Sequence, residues 1–504
     1  MCGIFGVNAK YSVIAPILDG LTKLEYRGYD SSGIAVIDEN KEIKTIRSKG
    51  KLFNLKKKID KIKISGKIGI GHTRWATHGV PSTTNAHPHT SDNVSIVHNG
   101  IIENYSSLKK ELQNKGYNFK SQTDSEVIAH LLSNELKKNN AEVAIKMTLS
   151  KLEGAFAIAI IFKDLSLLAG ARKGSPLAVG VSDDATFIGS DSVALAPFTK
   201  KIIFLEEGDS VFIQDKELKI YNEKFNEVKR PITYSSYTKD NLDKGNFNHF
   251  MQKEIFEQPH VIGDSLSRFV EPIHKIINIP ELKINWKKIS KINFIACGTS
   301  FFACQVASYW FEKIVGINCS SHFASEFRYK PIVEKSSNIL SIFISQSGET
   351  ADTLAALRFA KKNKSKILSL VNVTESSIAR ESDYVVSIAA GPEIGVASTK
   401  AFSAQLSILA CICLVMAREK KKITKKKELE LTESLLEVPS NMSSILELCK
   451  KINEISKKIV NAKSALFLGR GISFPIAMEG ALKLKEISYI HAEGYASGEM
   501  KHGP

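Results

Sequence analysis

From about residue 286 the chain repeats one pattern: a short apolar run rich in β-branched residues, a Gly/Ser/Thr turn, then a helix of three or more turns. The runs are INFIACGTS, ILSIFISQSGET and ILSLVNVTESS, followed by YVVSIAAGPE ahead of GVASTKAF. Strand, turn and helix in that rhythm are the signature of a doubly wound α/β sheet. A first copy is expected over 286–425. After a Lys-rich helical stretch from 418 to about 457, SALFLGRGISFPIAMEGALKLKEI matches the pattern of INFIACGTSFFACQVASYWFEKI. A second copy therefore starts near 458, and over 458–504 it is expected to be incomplete by roughly a hundred residues on domain-size grounds.

The first half reads differently. Short apolar strands (GIFGV, SGIAVID, KIGIGHT, VSIVHNG, AFAIAIIF, LAVGV, SVFIQ) are divided by turn clusters, with helical patterns at 14–25 and 125–138, which predicts a mixed α/β domain over 2–219. A polar segment near 225–250 lacks apolar periodicity, so 220–285 is read as a linker and helical lead-in. At 504 residues the chain exceeds one core, in keeping with several domains.

The formal charge of +16 raises a nucleic-acid or membrane partner. Its distribution argues against both, because the Lys runs at 51–64 and 418–430 alternate with apolar or acidic residues as solvated helix faces do. AFSAQLSILACICLVMA at 401–417 is shorter than the roughly 20 apolar residues of a membrane span and holds Ser403, Gln405 and Ser407, so a helix buried on a parallel sheet is expected. Seven cysteines without a C-x-x-C pair, and no secretory leader, place the chain in the cytoplasm.

Cys2 follows the initiator Met. Removal of that Met leaves a thiol and a free α-amine on one residue, and an amine that titrates near 7.7 to 8.0 can accept the thiol proton directly or through water. A lone cysteine is more often a small buried hydrophobe. Here GHTRWATHG at 71–79, HNGIIEN at 98–104 and TDSEVIAH at 123–130 follow in order, with YRGYDSSG at 26–33 and KGSPLAVG at 173–180. Together they resemble the glutaminase domain of the N-terminal-nucleophile amidotransferases, which implies an αββα fold. The resemblance implies that the Asn99 side chain and Gly100 N–H form an oxyanion hole, that Arg74 clamps the glutamine α-carboxylate and Asp124 its α-ammonium, and that Thr77 and His78 complete the pocket. Trp75 is implied as the gate of an ammonia passage. Five histidines between His72 and His98 suggest zinc as an alternative, but no Cys or carboxylate stands at a metal spacing among them, and no metal or organic cofactor is expected.

In the second half, SQSGET at 345–350 puts hydroxyls and free N–H groups at a helix N-terminus, an anion cradle that CGTS at 297–300 and VASTK at 396–400 repeat. Any one of these turns could simply cap its helix. With EIGVASTKAF at 393–402 and LKLKEISYIHAEGYASGEMKHGP at the end, they resemble the sugar isomerase (SIS) domains of the glutamine:fructose-6-phosphate aminotransferases. That resemblance implies that Thr299, Ser300, Ser345, Gln346, Ser347 and Thr350 hold the sugar phosphate and that Val396 and Ser398 line its pocket. It also implies that Glu486 shuttles a proton between C1 and C2, that Lys483 assists, and that His502 opens the sugar ring. In the family His502 reaches a neighbouring subunit, so a homodimer is expected. The expected activity is transfer of ammonia from glutamine to fructose 6-phosphate with isomerisation, giving glucosamine 6-phosphate and glutamate. Family members carry a lysine and a closing tail further on, so a chain ending at Pro504 is expected to keep glutaminase activity without efficient synthesis. A sugar-phosphate-binding regulator is the other alternative.

Overall fold

The computed structural model describes residues 2–503 apart from Lys63, Thr77, 215–216, 236–243, Pro272 and 332–335. It divides into two compact units, Met1–Asp243 and Lys244–Pro504.

The first unit has two antiparallel sheets, of eight and six strands, laid face to face. The Gly154–Phe162 strand explains the layering by its period of two: Phe156, Ile158, Ile160 and Phe162 pack outward among helix residues such as Leu112, Ile128 and Leu132, whereas Ala157, Ala159 and Ile161 pack inward against Ile4, Ile70 and Ile188 of the facing layer. On the other side Phe5 and Val7 face the Ile14–Leu24 helix through Ile17 and Leu21. The result is the αββα sandwich. Gly3–Ala9 is a central strand, paired with Ala185–Gly189 on one side and Ile68–Arg74 on the other, so the chain's second residue sits at the end of an interior strand.

The second unit is built on five parallel strands in the order Asn318–Phe323, Lys291–Ala296, Ile339–Ser345, Lys366–Val371, Tyr384–Ser387. Its strands are apolar on both faces because helices cover both: Ile292 and Phe294 join the core under the Gly298–Trp310 and Lys400–Glu419 helices, while Ile295 joins the one under Ala351–Lys362. This is the doubly wound sheet. A further βα-β unit follows, with Ser464–Gly469 and His491–Ala496 parallel and joined by the Ser473–Ser488 helix. The Lys400–Glu419 helix is long and apolar enough to cross a membrane, yet 78% of its apolar window is buried inside the unit, against the Phe250–Ser267 and Gly298–Trp310 helices.

The segment 220–285 differs from the expected linker. The first unit continues past 219, because Glu217–Tyr221 and Ile232–Tyr234 are paired strands and Arg230 grips Asp209 through Nε and Nη2 at 2.9 and 2.8 Å. The second unit begins well before 286. Phe250–Ser267 is an 18-residue helix, and Ile277, Ile279 and Ile284 enter the main core. That helix is the expected helical lead-in, and Pro259 blurs its bounds in a sequence reading, since proline cannot donate to the carbonyl four residues back. Here Gln258 Nε2 donates to the Ile255 carbonyl at 3.1 Å in its place.

Candidate active site

Strand register decides what surrounds Cys2. Gly3 pairs with Thr73, so Arg74 and Trp75 emerge beside the thiol. The Trp75 N–H points at Cys2 Sγ from 3.4 Å, and Sγ lies 3.6 Å from the Trp75 carbonyl oxygen. From the facing sheet, Asn99 Oδ1 accepts the Cys2 N–H at 3.1 Å. That commits the acceptor end of the amide and leaves its Nδ2 donor, which bonds to none of the described residues, for an oxygen that gains negative charge next to the thiol. Gly100 follows with φ +148°, where a Cβ would overlap the Ala155 carbonyl oxygen. Burial pushes the Cys2 thiol above its ordinary value, with the Trp75 amide opposing. A thiol held protonated at rest needs a base when it attacks.

Arg74 is buried and donates through Nη2 to the His78 and Gly79 carbonyls, whereas Nη1, 3.9 Å from Asp30, has no hydrogen-bond partner among the described residues. A buried guanidinium N–H without an acceptor is costly, and a ligand carboxylate would complete it. Asp124 is also buried, with Oδ2 accepting the Ile102 N–H at 2.8 Å. The half-buried His78 stands edge-on to Tyr105 at 5.6 Å, and Trp75, 44% exposed, stands edge-on to Tyr29 at 5.3 Å. Thr77 lies outside the described residues.

Asp30 is a site residue that the sequence reading did not single out, although YRGYDSSG contains it. Its carboxylate accepts the Ala76 N–H and the Ser31 hydroxyl (2.8 Å), and its own N–H donates to the Arg74 carbonyl at 3.1 Å, which shapes the turn beside Cys2. Four of the five clustered histidines, His72, His87, His89 and His98, are buried, with His72 against His87 at 4.2 Å and His87 against His89 at 4.5 Å. Among the described residues no group of three or more His, Cys, Asp or Glu is placed to hold a metal ion. His72 Nε2 lies 2.9 Å from the His98 carbonyl, which can only accept, so that nitrogen carries the proton and steadies the strand just before Asn99.

In the second unit the strand order reverses between Lys291–Ala296 and Ile339–Ser345, and CGTS and SQSGET leave the carboxyl ends of those two strands. A crevice at such a switch point is where open α/β sheets bind ligands. Ser345 Oγ accepts the Gly348 N–H at 3.0 Å and pairs with the Thr350 hydroxyl at 3.1 Å; Ser347 Oγ accepts the Glu349 N–H at 3.2 Å. Gly348 has φ +66°, and a Cβ would collide with Ser376 Oγ. Gln346, Ser347 and Thr350 are half-buried around the start of the Ala351–Lys362 helix. Ser300 accepts Gln405 Nε2–H at 3.0 Å, Ser398 donates to Glu393 Oε2 at 2.8 Å, and Val396 is 46% exposed.

The Ser473–Ser488 helix lies on the Gly298–Trp310 helix and brings a charged row to this edge. Lys483 Nζ donates to Thr299 Oγ1 at 2.9 Å and pairs with Glu486 at 2.8 Å; Thr299 Oγ1 donates to Glu479 Oε1 at 3.1 Å. Glu479 was not anticipated. Burial pushes it up to about 7, with Lys483 opposing, and its Oε2 has no hydrogen-bond partner among the described residues. The signal was available in the helical spacing of 479, 483 and 486, which share one face. His502 is exposed after the Glu499–Lys501 turn, and no hydrogen bond joins it to Glu486 among the described residues.

Comparison with known proteins agrees with this division. A glutamine amidotransferase domain profile matches residues 72–197, and an SIS domain profile matches 286–414 and 458–504. The glutamine--fructose-6-phosphate aminotransferase [isomerizing] of Mesorhizobium japonicum is 50% identical over 506 residues, and that of Bartonella quintana 48% over 508, each match covering 100% of this chain and 83% of the relative. This chain belongs to the glutamine–fructose-6-phosphate aminotransferase family. Among solved structures, the C-terminal domain of glucosamine-fructose-6-phosphate aminotransferase from Francisella tularensis is 43% identical with a TM-score of 0.50, covering 52% of this chain and 73% of that one. Within this aminotransferase family member, the amidotransferase match contains Arg74, Asn99, Gly100 and Asp124, and the two SIS matches contain the partners Thr299 and Lys483 that meet across 184 positions of sequence.

Proposed function

We propose that this chain takes ammonia from glutamine and transfers it to fructose 6-phosphate with isomerisation, yielding glutamate and glucosamine 6-phosphate. The observation that carries the reading is the Cys2 surround, where the thiol, a donor-ready Asn99 amide and a buried Arg74 N–H with no hydrogen-bond acceptor among the described residues converge on the chain's second residue.

Cys2 Sγ attacks the glutamine side-chain carbonyl while its α-amine, freed by loss of Met1, takes the thiol proton. Asn99 Nδ2–H and the Gly100 N–H hold the oxyanion, ammonia leaves with that proton, and water releases glutamate from the thioester. Arg74 binds the α-carboxylate and Asp124 the α-ammonium, with Thr77 and His78 beside them. Trp75 gates the departure of ammonia. In the second unit Thr299, Ser300, Ser345, Gln346, Ser347 and Thr350 hold the sugar phosphate, with Val396 and Ser398 on the pocket wall. Ammonia adds to C2 of the open ketose with loss of water. Glu486 then moves a proton from C1 to C2, and its 2.8 Å pairing with Lys483 keeps a carboxylate and a proton donor in register for that step. His502 opens the ring.

The reading includes a homodimer, since an exposed His502 is able to reach a neighbouring subunit, and a cytoplasmic location, since all seven cysteines are free thiols. Neither nucleic acid nor membrane takes part. To test it, the purified chain is incubated with glutamine, with and without fructose 6-phosphate, and glutamate and glucosamine 6-phosphate are quantified together. Equal yields would establish coupled transfer by this chain, and neither product is expected from Cys2→Ala. Glutamate without glucosamine 6-phosphate would refute the transfer half, and no glutamate would refute the whole.

A further inference from the structure

The loop between the last parallel strand and the Lys400–Glu419 helix presents Val396 and Ser398, yet its backbone is held from behind. Glu254, 2% exposed on the Phe250–Ser267 helix, accepts the Ile394 N–H at 2.5 Å and the Gly395 N–H at 2.9 Å through Oε1. The approach is close enough that a Cβ on Gly395 would collide with Glu254 Oε2. One turn further along the same face, Glu257 Oε2 receives Lys400 Nζ at 2.7 Å and Gln258 Oε1 accepts the Ser403 hydroxyl, so residues 254, 257 and 258 clamp the loop and the first turn of the helix that follows it. Glu393 completes the arrangement from within the loop: Oε1 accepts the Thr399 and Ala401 N–H groups at 2.8 and 3.0 Å, and Oε2 accepts the Ser398 hydroxyl.

Two carboxylates therefore share the work of folding one short loop, and a hydrophobic contact would have held its backbone less specifically, since two amides converging on a single buried oxygen fix both direction and distance. We propose that Glu254 is a positioning residue for the sugar-phosphate site: by holding the Ile394 and Gly395 amides it sets where Val396 and Ser398 stand against the bound sugar. This rests on the assignment of that loop to the sugar pocket. Burial pushes Glu254 up to about 7, with Glu393 adding to the push and the Gly395 and Ile394 amides and Lys400 opposing, in keeping with a carboxylate retained at an electrostatic cost.

The test uses the full chain and three measurements: the Kd for fructose 6-phosphate by calorimetry, kcat for glutamine hydrolysis, and Tm. Glu254→Leu keeps a side chain of similar volume but removes both acceptor oxygens; Gly395→Ala displaces the same carboxylate from the other side. Each is expected to raise the Kd for fructose 6-phosphate at least tenfold with glutamine hydrolysis unchanged, and the double variant is expected to lose no more than the worse single one, because both break one contact. Wild-type Kd values in both variants would overturn the inference, as would losses that add in the double variant or a fall in glutamine hydrolysis that tracks Tm. Absence of fructose 6-phosphate binding by the unmodified chain would instead overturn the sugar-site reading beneath it.

Discussion

Gly100 keeps its φ of +148° against the Ala155 carbonyl only because it has no Cβ. Alanine there must either move the Val94–Ile102 strand or leave the hole misaligned, at a cost of about 1–3 kcal/mol in backbone strain. Loss of one oxyanion donor typically costs about 3 kcal/mol of transition-state stabilisation. Gly100→Ala is accordingly expected to lower kcat for glutamine hydrolysis by about 100-fold or more, with fructose 6-phosphate binding intact in calorimetry; a wild-type rate would remove Gly100 from the mechanism. Cys2, Arg74 and Asn99 are legible as residues because their neighbours form motifs. Asp30 is not, since its work is to accept amides and hydroxyls around a turn, and nothing in the spacing of YRGYDSSG marks one carboxylate for that.

The elements of the second unit differ sharply in how much they bury. Ile342 is fully buried in the central Ile339–Ser345 strand, between helices on both faces. Leu466 and Leu468, on the two-stranded Ser464–Gly469 sheet, are 51% and 53% exposed. Ile342→Ala is expected to destabilise the unit by about 2–5 kcal/mol through lost burial and a cavity. Leu466→Ser or Leu468→Ser is expected to cost about 0.5 kcal/mol or less. Urea unfolding of the three variants checks the contrast; equal costs would mean that the short sheet is packed. Strand and helix existence followed from hydrophobic rhythm in both units. The Phe250–Ser267 helix is legible only as a lead-in without bounds, because Pro259 interrupts the pattern, and its repair by Gln258 is a side-chain bond that no periodicity foreshadows.

The buried histidines of the first unit and two buried glutamates of the second carry opposite linkages to pH. In the first, burial lowers His72 and His89 to about 3, so these rings stay neutral when folded while the unfolded chain takes up protons below 6.5. Their contribution is present above pH 6.5 and is lost as pH falls toward 3. In the second, Glu254 and Glu479 are raised to about 7, so the folded state holds protons that the unfolded chain has released above 4.5; their contribution is present below pH 4.5 and is lost as pH rises through 7. Replacing either glutamate by glutamine is expected to flatten the decline of stability between pH 4.5 and 7, each pKa unit being about 1.4 kcal/mol. Denaturant unfolding across that range checks it, and an unchanged slope would mean that the carboxylates are solvated.

The sequence alone determined the two architectures, the amidotransferase motifs around Cys2 and the turns at the switch point, because each is written in local spacing: apolar periods, turn residues, short ordered strings. Tertiary structure alone decided which side chains meet. Thr299 and Lys483, Glu254 and Gly395, Cys2 and Asn99 are each brought together across 97 to 184 positions. Such contacts are selected by packing of elements against one another, and a carboxylate that accepts a distant backbone amide looks, in sequence, like any other carboxylate on a helix.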